Sequence, residues 1–257
     1  MSERHRGFHI GRSDAPNRIL WIHGYTGSPD AFIGTAERMA HELDAQVLAP
    51  LLPGHGTEEE HLSRHSFDEF LQSVRYFART VTDSGKPSAL IGYSFGGYIV
   101  ALLACEFKPD VLAMALTPYA LRFPLWIPGV SALLSIRSFW NKYLTSEDVE
   151  IRKGTFYYPD LPGRSLSLIE EGNARLAQAL PDIGCPILTI HNADDPLALP
   201  ESGASIIEAS AKNPGNESYV LPGGRHALFF RPHHDEEERL LISFMKKHLK
   251  KEIAARE

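Results

Sequence analysis

Ser94 lies in the run Gly92-Tyr93-Ser94-Phe95-Gly96, between the apolar stretch Ala89-Leu90-Ile91 and a segment of helical character. This G-x-S-x-G arrangement fits a nucleophile elbow, where a strand turns so sharply into a helix that the serine hydroxyl projects into open space. A serine there adopts a positive φ at a cost of roughly 1–3 kcal/mol, and glycine at 92 and 96 relieves the crowding on either side. A serine hydroxyl is nearly inert at neutral pH, so it needs a base to take its proton and a third group to orient that base. Two downstream segments offer them: Asn192-Ala193-Asp194-Asp195-Pro196 and Gly223-Gly224-Arg225-His226. The plainer readings are a helix-capping serine and an ordinary loop histidine. The three segments together favour nucleophilic catalysis.

These side chains need a frame that brings distant loops together. Short, continuously apolar runs at residues 19–22, 47–52, 89–91, 111–116 and 187–190 read as strands buried on both faces of a parallel sheet, and a further strand is expected at 218–221. One more strand is expected around residues 7–10. Helices are expected over 30–43, 67–81, 95–107, 201–211 and 235–250. The last carries Asp235-Glu236-Glu237-Glu238 at its start and lysines at its end, a polarity that complements the helix dipole and reads as a solvated helix terminus. In a parallel sheet the loops bearing Ser94, Asp195 and His226 open at the same carboxyl edge, where ligands bind. From about residue 119 to 181 no clear strand is visible and prolines punctuate helix-like pieces. This stretch is expected to be a mainly helical cap over that edge, dividing the core into residues 1–118 and 182–257. Phe123, Leu125, Trp126, Ile127, Leu133, Leu134 and Phe139 are its candidates for lining an acyl pocket, or simply for packing the cap down.

The order Ser, Asp, His is that of α/β-hydrolases. Trp21-Ile22-His23-Gly24-Tyr25-Thr26-Gly27-Ser28-Pro29 and Ala49-Pro50-Leu51-Leu52-Pro53-Gly54-His55-Gly56-Thr57 resemble two further strand-and-loop segments of that family, in its bacterial carboxylesterase and monoacylglycerol-lipase branch. The resemblance spans nearly the whole chain outside the cap. It implies an α/β-hydrolase fold: a mostly parallel central sheet flanked by helices, with the cap inserted. It also implies Ser94 as nucleophile, His226 as general base and then acid, Asp195 as the orienting carboxylate, and the backbone N–H groups of Tyr25 and Phe95 as the oxyanion hole. The family's spacing from acid to a following proline matches Asp195 to Pro200 and favours Asp195 over Asp194. Since the hole needs only amides, the side chains of Tyr25 and Phe95 are free to shape an acyl pocket. His23 and His55 are expected to hold loop shape rather than do chemistry.

Composition narrows the partners. The chain has 257 residues, 43% of them hydrophobic, and a net charge of −6 without a basic patch, which argues against nucleic acid or an anionic membrane as main partner. The longest mostly apolar run, residues 123–136, contains two prolines and is too short to span a bilayer. The N-terminal residues lack the apolar core of a signal peptide, so the cytoplasm is the expected compartment. Cys105 and Cys185 form no disulfide framework and read as buried small residues. His233 and His234 lack a recognised ligand spacing, and no phosphate cradle or dinucleotide fingerprint is present, so no metal or cofactor is expected. Oligomeric state is not legible.

The expected activity is hydrolysis of a small-molecule carboxylic ester, a short- to medium-chain acyl ester or a monoacylglycerol, through an acyl-enzyme on Ser94. The alternatives are the same triad acting on a carbon–carbon, amide or thioester bond, and a hydrolase-like protein that only binds its ligand. Fold does not separate these.

Overall fold

Along the strands, successive apolar side chains fall alternately into two separate cores, the period of two that a pleated sheet imposes. Ile19 and Trp21 enter one core while Leu20 and Ile22 enter the other; Ile91 and Leu90 divide in the same way. The computed structural model describes residues 6–121, 139–141, 155–158, 160–229 and 235–249. The strands of its main sheet are β1 (Phe8–Ile10), β2 (Asn17–Ile22), β3 (Ala45–Ala49), β4 (Ser88–Tyr93), β5 (Val111–Ala115), β8 (Ile187–Asn192) and β9 (Glu217–Leu221). They lie in the order β1-β3-β2-β4-β5-β8-β9. Only β1 runs antiparallel to its neighbour. The elbow strand β4 is therefore central, and the strand preceding His226 lies at an edge. Two three-residue strands, β6 (Phe139–Asn141) and β7 (Asp160–Pro162), pair antiparallel apart from this sheet.

Helices α1 (Ile33–Glu42) and α6 (Asp235–His248) contribute to one core; α2 (Phe67–Thr82), α3 (Phe95–Phe107), α4 (Ser165–Ala179) and α5 (Glu201–Ala209) contribute to the other. Helix α3 is apolar all round, and the reason is its position between the sheet and other helices. Gly172 of α4 lies against Tyr98 of α3, where an added Cβ would come within 2.5 Å of the ring. Arg175 of α4 stacks over Phe67 of α2 at 4.9 Å and pairs with Asp68 at 2.6 Å.

The expected strand at 47–52 ends instead at Ala49. Pro50 has no N–H to give a ladder, and the Leu52 N–H is taken by the His23 ring. Strands β6 and β7 appear where none was expected, because three residues show no periodicity and Pro162 reads as a breaker. The acidic start of α6 is only partly solvated: Glu237 and Glu238 are buried, and Glu238 receives the Thr35 hydroxyl and pairs with Arg38 at 3.0 Å. The seven candidate pocket residues from Phe123 to Phe139, and His233 and His234, have side chains outside the described residues.

Candidate active site

Ser94 stands between β4 and α3 with φ 52° and ψ −118°, the strained geometry expected of an elbow. The turn is closed by Ser94 N–H donating to Ala115 O at 2.7 Å and Gly97 N–H donating to Ser94 O at 2.9 Å. The glycines are required by contact. A Cβ on Gly92 would meet the Gly96 carbonyl at 2.5 Å, one on Gly96 would strike the Ile22 carbonyl, and one on Gly97 would overlap the Thr117 side chain.

Asp195 and His226 converge on Ser94 from the loops after β8 and β9. His226 Nδ1 lies 2.7 Å from Asp195 Oδ2, and His226 Nε2 lies 2.8 Å from Ser94 Oγ. The carboxylate can only accept, so Nδ1 carries the proton and Nε2 offers its lone pair to the serine hydroxyl. Asp195 is fully buried; its other oxygen accepts the N–H groups of Leu197 (2.7 Å) and Ala198 (3.0 Å). Asp194 is exposed. Of the two candidates, Asp195 is the one that His226 bonds.

The second strained loop follows β2, where Thr26 has φ 68°. An added Cβ on Gly24 would sit 3.1 Å from Ser94 Cβ, so this backbone runs directly against Ser94. The Gly24 carbonyl accepts both His23 Nδ1–H (2.9 Å) and Gly27 N–H (3.2 Å). Because a trans peptide sets C=O and N–H antiparallel, holding the Gly24 oxygen aims the Tyr25 N–H away from it. His23 can donate from Nδ1 because its Nε2 accepts Leu52 N–H at 3.0 Å. His55 is wired alike, with Nε2 accepting Thr26 N–H (3.1 Å) and Nδ1–H donating to Pro53 O (2.9 Å). Burial lowers the His23 pKa to about 4 and drives that of His55 well below its ordinary value. Both rings are neutral struts, in line with the loop-holding role expected of them. The Phe95 amide opens α3, where the first N–H groups have no helical partner and favour negative charge.

The side chains of the two oxyanion candidates differ in their surroundings. The Phe95 ring is buried among Phe67, Phe70 and Tyr98 and belongs to the core. The Tyr25 ring is half-buried, edge-on to Phe95 and His55. Cys105 and Cys185 are half-buried rather than fully buried, and desolvation raises both thiols, Cys185 to about 12, which keeps them poor nucleophiles.

Two residues that the residue pattern did not single out grip the His226 loop. Tyr93 Oη donates to His226 O at 3.0 Å, and buried Asn192 Nδ2 donates to Arg225 O at 2.9 Å. Arg225 itself is strained, at φ 45°. Successive carbonyls of the His226 loop are thus tied to the last residues of β4 and β8. Ser202, also buried, ties the chain after β5 to the first turn of α5, its Oγ accepting the N–H groups of Tyr119 (3.2 Å) and Ala120 (3.0 Å).

Comparison with known proteins agrees with this architecture. A thermostable monoacylglycerol lipase from Bacillus sp. (strain H-257) is 27% identical over 216 residues, covering 83% of this chain and 84% of that protein. The crystal structure of a monoacylglycerol lipase from Paleococcus ferrophilus superposes with a TM-score of 0.76 at 17% identity, covering 94% of this chain and 98% of that one. A soluble variant of monoglyceride lipase from Saccharomyces cerevisiae gives a TM-score of 0.78 at 14% identity, with 95% and 92% covered. The profile of the alpha/beta hydrolase family matches residues 19–238. With the elbow, the mostly parallel sheet and the profile in agreement, the chain belongs to the alpha/beta hydrolase family.

Proposed function

We propose that this protein hydrolyses carboxylic esters through an acyl-enzyme on Ser94. The reading is carried by the hydrogen-bonded series Ser94 Oγ, His226 Nε2, His226 Nδ1 and Asp195 Oδ2. Ser94 Oγ attacks the ester carbonyl as its proton passes to His226, and the carbonyl oxygen becomes an oxyanion held by the Tyr25 and Phe95 amides. One such donor is typically worth ~10²–10³ in turnover. The tetrahedral adduct collapses, His226 hands its proton to the departing alcohol, and the acyl group remains on Ser94. Water then gives a proton to His226 and attacks the acyl carbonyl. The second adduct releases the carboxylic acid and returns the proton to Ser94. Asp195 holds the imidazole in its tautomer and stabilises the imidazolium that forms twice in each cycle.

The substrates we propose are short- to medium-chain acyl esters or monoacylglycerols, a choice supported by the names of the relatives above. Residues 119–181 are the proposed cap that selects among them. Two ties support that role: Leu121 bridges to Ala198 in the acid loop, and Tyr158 N–H donates to Thr26 in the oxyanion loop. No helix among the described residues is long and apolar enough to cross a membrane. The cytoplasm is the proposed compartment, in keeping with two free thiols.

The test combines a fluorophosphonate probe with a panel of p-nitrophenyl esters of rising chain length, monoacylglycerols and a thioester. Wild type should be labelled and turn over esters; Ser94→Ala should remain folded and do neither. Labelling that survives in Ser94→Ala sinks the assignment. Turnover of another bond type without any ester hydrolysis replaces the substrate class.

A further inference from the structure

We propose that Tyr158, at the root of the cap, is a positioning residue for the oxyanion amide of Tyr25; the inference rests on the roles given above to Ser94 and Tyr25. Three successive peptide planes link the two residues. Tyr158 N–H donates to Thr26 O at 2.8 Å. That plane's other end is the Gly27 N–H, which a trans peptide directs oppositely and which donates to Gly24 O at 3.2 Å. The Gly24 oxygen in turn fixes the direction of the Tyr25 N–H. Between them, the Thr26 N–H is held by His55.

The Tyr158 side chain reinforces the same lock from a second direction. Its hydroxyl donates to Gly54 O and accepts Thr57 N–H, both at 3.0 Å, bracketing the loop that carries His55. The residue is buried, with its ring tilted toward His55 at 6.4 Å. A parallel strap joins Ser28 Oγ to Phe156 O at 3.2 Å. The positive φ of Thr26 makes this lock necessary, since a strained turn persists only when its surroundings over-determine it. In this role Tyr158 acts through Thr26 and His55.

The experiment compares the full-length wild type with Tyr158→Phe, which keeps the ring and main chain and removes both hydroxyl bonds. Turnover of p-nitrophenyl butyrate is measured per site titrated by fluorophosphonate, so unfolded protein does not count. A trifluoromethyl ketone of matched chain length reports the hole, because its adduct with Ser94 carries an oxyanion. Loosening one donor is expected to lower kcat about 10-fold, a fraction of the ~10²–10³ that a whole donor supplies. The inhibition constant of the ketone should rise by a similar factor, with KM within about twofold. An unchanged kcat per site, a change confined to KM, or a fall in kcat with unaltered ketone affinity overturns the proposal. Should Tyr158→Phe give no labelled protein, Ser28→Ala, which cuts the parallel strap, is judged by the same criteria. If wild type is not labelled, or Ser94→Ala turns over the ester equally well, the underlying assignment of Ser94 has failed instead.

Discussion

Acid should loosen this protein through His23, by an amount that can be worked from its surroundings. The ring is buried with both nitrogens committed, and burial holds its pKa at about 4. In the unfolded chain the same ring titrates near ~6.5. Between those values the unfolded state binds the extra proton. The folded pKa is the depressed one, so this stability is complete above about pH 6.5 and is lost as pH falls toward 4. For these two values, moving from about pH 7.5 to about pH 5 removes ~2 kcal/mol. His55 and His191 are also depressed, chiefly by burial, and pull in the same direction. Urea unfolding at the two pH values measures the total. His23→Asn isolates the contribution of one ring: it should be less stable than wild type at about pH 7.5 but lose ~2 kcal/mol less on acidification. Equal losses in the two proteins, within about 0.5 kcal/mol, or an NMR titration of His23 near its unfolded value, would refute the reasoning.

The remaining predictions follow from single contacts. Asp195→Asn should lower kcat by up to ~10⁴-fold by disturbing the His226 tautomer, whereas Asp194→Asn, altering an exposed side chain, should stay within about twofold in ester assays. Asn192→Ala frees the Arg225 carbonyl and should cost ~1–2 kcal/mol in urea unfolding, with a lower kcat per labelled site; an unchanged kcat would show that the loop needs no such tie. Gly97→Ala forces a methyl onto the Thr117 side chain and should destabilise by ~1–3 kcal/mol, read as a lower unfolding midpoint.

What the sequence disclosed about this molecule depended on whether side-chain type carried the information. Apolar runs located β4 and β8, and with them the loops of Ser94 and Asp195, because burial on both faces of a sheet leaves a legible composition; β9, which leads to His226, is largely exposed and left a weaker trace. His226 lies 2.8 Å from Ser94 and 2.7 Å from Asp195, the geometry on which the proposed triad rests. The ties from Tyr93, Asn192 and Tyr158 were not legible, since each donates to a main-chain carbonyl that every residue possesses. Their partners lie 133, 33 and 104 positions away for the side-chain bonds to His226, Arg225 and Gly54. Pro50, which lacks an N–H, ends β3 although the apolar run continues through Leu51 and Leu52. The buried Glu238 escaped notice because its partners, Thr35 and Arg38, stand on another helix.

The grip on the His226 loop has a consequence for motion. Strand β9 is the outermost of the main sheet, with Tyr219 and Val220 exposed, and outer strands open locally at lower free energy than inner ones. Yet the carbonyls of Arg225 and His226 are fastened to Asn192 and Tyr93, which end strands nearer the centre. Hydrogen exchange should therefore run faster in β9 than in β4, while His226, the proposed general base, should keep its alignment through those openings. On this reading the margin of the sheet should breathe without disturbing the proposed catalytic geometry.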